Sequence, residues 1–268
     1  MLIAWSTYQR IRIGILRAVP WSFVVSRVLT GITQIVFPYF LYRYFLAGNL
    51  SAEFFQYTSG AGYMTYIVLG SALNVLAVST LMNIGRALIT ELREGTLEML
   101  LLAPASRTAY FAGCLWEQTA RALLEFGATL LVGALLGAHL WPIFSLPALA
   151  SIALAIFSFF CMGIFLSGIM LRTRDTYVTQ NTLFFLMNVI CGITFPIQYL
   201  PAWVQGLAQL FPLTPAVTLF RNVVIQQDSL AGQLDLVGQI LLLSAFYLLA
   251  GAFWNKRLER NLMENIFG

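Results

Sequence analysis

Glu117, Arg121 and Glu125 recur at i, i+4 and i+8, which sets an acid, a base and an acid along one face of a helix inside an apolar stretch. Ionisable groups in such surroundings are costly, and they face one another or a water-lined interior. Two readings stay open: a charged lining or inner gate that engages Arg27, and an ion-paired strip at the membrane interface. Arg27 lies about two turns inside its own apolar run, and its guanidinium can also snorkel back to the headgroups. A second charged group, Glu91, Glu94 and Glu98, sits at i, i+3 and i+7, within about 60° of one helical face. Leu88, Leu92 and Met99 repeat on another face. The cytosolic leaflet is negatively charged, so an acidic face suits a basic protein partner better than a bed of headgroups. The sequence contains no His-Glu-x-x-His, no Gly-x-Ser-x-Gly and no Walker glycine loop, so the chain is not expected to hydrolyse ATP by itself. Cys114, Cys161 and Cys191 lie in apolar runs without Cys-x-x-Cys spacing, and His139 stands alone, so neither a disulfide framework nor a metal site is expected.

The elements that must hold these residues are membrane helices. Hydrophobic residues make up 59% of the chain and charged ones 10%, too little polar surface to cover a soluble globule. At about 20 apolar residues per crossing, the stretches near 20–45, 60–84, 110–138, 146–171, 177–195 and 234–254 predict about six spans. The fold class expected is therefore an all-α polytopic membrane protein, one domain over 1–268. Residues 1–18 place Tyr8, Ile11 and Ile15 on one helical face and Arg10 and Arg17 on the other, with Arg12 breaking the pattern. That predicts a helix lying in the interface, and the first apolar run, long and without a small-x-small site, is expected to be retained rather than cleaved. The net charge of +4 is spread over loops and span ends, which points to a membrane rather than nucleic acid. Arg43 and Arg221 fall outside in this topology and the other basic residues inside, so the positive-inside bias puts both termini in the cytosol.

Two segments break the helical pattern. Within 86–104, Gly95 interrupts the run, Thr96 can cap a new helix and Pro104 cannot continue it. The expectation is a stem continuous with the second span to about Glu94, a hinge at Gly95 and a short helix from Thr96 to Ala103. Within 195–228, Pro196, Pro201, Pro212 and Pro215 forbid one long helix, yet the residues between them are too apolar for an exposed loop. Backbone at membrane depth must be hydrogen-bonded internally, so two short re-entrant helices are predicted, with Tyr199 and Trp203 as interfacial anchors. Such a hairpin would lid the external mouth; a plain surface hairpin is the alternative. Gly133 with Gly137, and Gly163 with Ser167, are spaced for close helix packing. Asn74, Asn83, Asn181 and Asn188 are polar positions in or beside spans, open to cargo or to a neighbouring helix.

The run ELREGTLEMLLLAP, Glu91 to Pro104, resembles the cytosolic loop after the second helix of ABC-2 type transporter permeases, where Arg/Glu-Glu-x-Gly-Thr-Leu-Glu-x-Leu-Leu-x-x-Pro forms a coupling helix. Gly192 to Arg221, GITFPIQYLPAWVQGLAQLFPLTPAVTLFR, is similar to that family's signature between the last two helices. The resemblance implies coupling residues Glu91, Glu94, Gly95, Thr96, Leu97, Glu98, Leu100, Leu101 and Pro104. It also implies an external gate of Phe195, Pro196, Tyr199, Pro201, Trp203, Pro212 and Arg221. It further implies a separate ATPase subunit holding ATP and Mg, a second permease, identical or paralogous, and a bacterial or archaeal plasma membrane. No catalytic, cofactor or metal residue is expected in this chain. The short external loops and aromatic-rich outer half suit a drug, antibiotic or other amphipathic, lipid-like cargo for export; a polysaccharide or glycolipid is the alternative. An ATP-independent secondary transporter and a membrane-embedded lipid-modifying enzyme are the competing classes.

Overall fold

The computed structural model describes residues 9, 21–45, 52–58, 60–95, 107–173 and 177–267. Gln9 apart, the expected interfacial helix lies outside these residues, as do Thr96, Leu97, Glu98, Leu100, Leu101 and Pro104 of the expected docking helix. Among the described residues every regular element is helical.

Helix α1 spans Trp21–Phe40 and contains Pro38, after which the chain widens into a π-helical turn at Leu41–Phe45. Proline removes a backbone donor and crowds the preceding turn, a common cause of such a widening. After the short α2, Ala52–Tyr57, comes α3, Tyr63–Arg93, with 31 residues and no proline. At about 1.5 Å per residue it is about 46 Å long, longer than the roughly 30 Å hydrocarbon core, so it projects beyond a bilayer as a stem. Helices α4, Arg107–Leu135, α5, Leu146–Thr173, and α6, Tyr177–Ile190, follow. The bent pair α7, Ala202–Ala208, and α8, Leu213–Ile225, precedes α9, Leu234–Phe267.

The pillar of the fold is α3. Its apolar stretch Tyr63–Leu81 is 94% buried inside the protein, whereas that of Leu230–Arg257 is 17% buried. Helices α1, α4, α5, α6 and α8 all pack on α3, and α9 leans on α5 from outside. The reason α9 stays so close is Gly251, where a side chain would collide with the backbone of Ile164 and Phe165. Gly133 likewise lets α4 seat against Val68 of α3. Gly137, its expected companion, instead takes φ +90 with open space around it and ends the helix rather than forming a seam.

Tyr63–Leu81, Leu146–Thr173 and Leu230–Arg257 are long and apolar enough to cross a membrane, and the bent pair adds a fourth crossing if counted as one span. The described residues thus support three to four crossings, against about six from hydropathy. One cause is plain: the fifth stretch, expected to run to Phe195, is helical only to Ile190. Its 14 residues span about 21 Å. Gly192 at φ +70 then turns the chain.

Candidate functional site

At the far end of α3 from Tyr63, the last helical bond runs from Glu94 N–H to Thr90 C=O at 2.9 Å, and Gly95 takes φ +71. A positive φ is the left-handed conformation in which glycine ends helices, so the stem stops where Gly95 interrupts the sequence pattern. Glu94 is exposed there, but Glu91 is only 7% exposed. The acidic face read from spacing is therefore divided, with Glu91 turned into the protein.

Glu125 of α4 is buried and accepts a hydrogen bond from Ser79 Oγ of α3 at 2.5 Å. One turn on, Thr129 Oγ1 donates to the Glu125 main-chain oxygen at 2.8 Å. Gly31 of α1 lies against Thr129 and Val75, and Ile35 packs with Val68 and Leu130. Helix α1 therefore runs parallel to α4 and antiparallel to α3, which places the backbone of Arg27 at the level of Glu125 and Ser79. The side chains of Arg27 and Glu117 are outside those described; Arg121 is half-buried. The strip thus engages α3 through Glu125.

At the other end of α3 stands the most elaborate polar cluster. Arg221 of α8 is 7% exposed, and its bonds go to main-chain carbonyls. Nε and Nη2 donate to Tyr66 C=O at 3.2 and 2.8 Å, Nη1 to Gly192 C=O at 2.7 Å, and Nη2 also to Ile193 C=O at 2.7 Å. The guanidinium carbon lies 3.4 Å from the centre of the Tyr66 ring, and Tyr66 Oη donates to Gly192 C=O at 3.1 Å. The carbonyls of Gly192 and Ile193 follow the C-terminus of α6, where the helix dipole is negative and a cation is favoured, while that of Tyr66 belongs to the first turn of α3; the ring face adds a cation–π attraction. Gly70 is essential to the fit, because a side chain there would meet the guanidinium and Ile193 C=O. The arginine thus fastens α8 and the turn after α6 to α3.

The resemblance implies a place for Arg221 in an external gate; in the structure its guanidinium is buried as a clamp. Its companions divide. Trp203, Tyr199 and Pro201 are exposed, and Tyr199 meets Tyr57 edge-on at 5.7 Å between centroids. Pro196 is buried and Phe195 half-buried. The bend of 88° between α7 and α8 is pinned by Thr214 Oγ1 donating to Ala208 C=O at 2.6 Å, with Pro212 at the start of α8. Tyr66, Ser79 and Gln34 were missed by sequence reasoning. Gln34 had one usable signal: it lies four residues before Pro38, so its carbonyl loses its helical donor.

Long apolar helices around a buried pillar, with a bent helix pair fastened to one end, define an all-helical integral membrane protein. The family model of the ABC-2 type transporter matches residues 9–225, and the chain belongs to that family. It is 23% identical over 181 residues, 65% of this chain, to the "Probable multidrug ABC transporter permease YbhR" of Escherichia coli strain K12. The protein of the same description in Escherichia coli O157:H7 matches to the same extent. The matched region covers 47% of those relatives, so the chain spans about half their length.

Proposed function

We propose that the chain is the membrane subunit of an ABC exporter, forming the cargo pathway and driven by a separate ATPase subunit that binds ATP and Mg. The observation that carries the coupling is the continuity of α3, one proline-free helix from the Arg221 clamp at Tyr66 to the break at Gly95. A push delivered beyond Gly95 reaches the hairpin end as a tilt of one rigid rod, because close-packed interiors transmit displacement rather than absorb it. Residues 95–104 are the docking element in this reading, and the chain itself carries no ATP hydrolysis.

A second permease, identical or paralogous, completes the pathway in a bacterial or archaeal plasma membrane, with both termini cytosolic. The description of the matched relatives as multidrug permeases, together with the apolar outer surfaces, supports an amphipathic drug, antibiotic or lipid-like cargo.

The test is co-expression with the ATPase encoded nearby, followed by pull-down and an export assay. Glu94→Lys reverses the exposed charge, and Leu100→Asp places a charge in the docking segment. Loss of complex formation and of export in both variants is expected. Wild-type assembly and export in both would remove the basis for placing the coupling there.

A further inference from the structure

Hydrogen bonds fasten Arg221, but they do not neutralise it. Its partners are carbonyl dipoles, and the C-terminus of α6 contributes only about half a negative charge. The Tyr66 hydroxyl donates to Gly192 C=O, so the ring brings no charge of its own. The four bonds to carbonyls occupy Nε, Nη2 and one N–H of Nη1. The second N–H of Nη1 has no acceptor among the described residues. A cation that is 7% exposed and lacks a counter-charge is costly, because burial strips it of water. The other polar cluster on α3 carries no such charge. There Asn74 Nδ2 donates to Gln34 Oε1 of α1 at 3.4 Å and to Asn188 Oδ1 of α6 at 3.2 Å, a trio of neutral carboxamides.

The clamp also has space beside it. Arg221, Tyr66 and Gly192, which meet in the clamp, line a cavity of about 80 Å³ together with Gln198, Thr218 and Asn222. At about 10–15 Å³ per water, it has room for about five to eight water-sized groups, enough for a carboxylate or a phosphate. Gln198 and Thr218 are exposed, so the cavity opens to the surface. Among the described residues its lining holds one charged side chain, Arg221, and no Asp or Glu. Thr218 precedes Arg221 by three residues on α8, which puts both on one helical face.

We propose that this cavity binds a small oxyanion, a carboxylate or phosphate carried by a free anion or by a lipid headgroup, as the counter-charge of Arg221. The remaining N–H of Nη1 donates to it, and the Gln198 carboxamide supplies a further N–H at the mouth. The bound anion completes the clamp that ties α8 and the turn after α6 to α3. The site does not depend on the chain being a transport subunit.

The test measures saturable binding of radiolabelled phosphate to the full chain, purified in an uncharged detergent and freed of lipid. Thr218→Glu sets a tethered carboxylate on the face of Arg221 and should weaken phosphate binding at least about tenfold. Thr218→Gln, of similar size and neutral, should bind within about twofold of the wild type. In thermal unfolding, saturating phosphate should raise the midpoint of the wild type by about 3 °C or more, and Thr218→Glu should show that rise without phosphate. Arg221→Met, although destabilised, should have a midpoint indifferent to phosphate. Dihexanoyl phosphatidic acid separates the two sources of the anion. A midpoint rise at concentrations at least about tenfold below those needed for phosphate assigns the site to a lipid headgroup; a rise only at comparable or higher concentrations, or none, assigns it to a free anion that binds as phosphate does. Absence of binding and of a midpoint rise with both probes overturns the proposal. So does phosphate binding that is undiminished in Thr218→Glu, lost in both Thr218 variants, or matched by an equal phosphate response in Arg221→Met.

Discussion

The Arg221 clamp and the Asn74 amide trio interrupt the same apolar helix, α3, eight residues and about 12 Å apart along its axis. Both bring polar groups from three elements into a dry interior. They differ in how completely those groups are bonded. The guanidinium meets three main-chain carbonyls and an aromatic face, so a full charge is held without a carboxylate. The carboxamides are neutral and cheaper to bury, yet two of their atoms remain without partners. One cluster is a fastening, because each part satisfies another. The other is left with unmet hydrogen-bonding capacity.

Substitutions should separate the two by their effect on stability. Arg221→Met takes the guanidinium donors from the carbonyls of Tyr66, Gly192 and Ile193, of which Gly192 keeps the Tyr66 hydroxyl, and should cost about 3–5 kcal/mol, read from thermal unfolding of the purified protein. Gly70→Val attacks the same clamp from the opposite side and should cost about 2–3 kcal/mol. Because both act on one contact, the double variant should be destabilised by less than the sum; additive effects would show that the clamp is not a unit. Tyr66→Phe keeps the ring beneath the guanidinium and loses only the hydroxyl bond to Gly192, for about 1 kcal/mol in the same assay. Asn74→Leu should change stability by less than about 1 kcal/mol, since it removes two long hydrogen bonds and a carboxamide oxygen that has no hydrogen-bond partner. A stability loss in Asn74→Leu as large as in Arg221→Met would erase the distinction between the two clusters.

Much of this organisation is legible in the residues. The break at Gly95 follows from a glycine inside a helical run, and the bent pair from prolines spaced through apolar sequence. Other features depend on backbone geometry that residue types do not encode. Topology and the family signature place Arg221 on the external side; its burial depends on carbonyls turned toward it beside Gly192 at a positive φ. The apolar run continues to Phe195, so hydropathy does not register that α6 ends at Ile190. Periodicity groups Glu91 with Glu94, but it does not reveal that packing on α3 covers one and leaves the other exposed. The amide trio lies between these cases. Asn74 and Asn188 stand out as polar residues in apolar helices, while their meeting with Gln34 is a product of the tertiary register.

The claim that a separate ATPase drives this chain is tested most directly by transport in inverted membrane vesicles containing the chain with or without that subunit. The account predicts uptake of an amphipathic fluorescent drug that requires both subunits and ATP and is abolished by vanadate. Uptake by the chain alone, driven by an ion gradient and indifferent to vanadate, would contradict it.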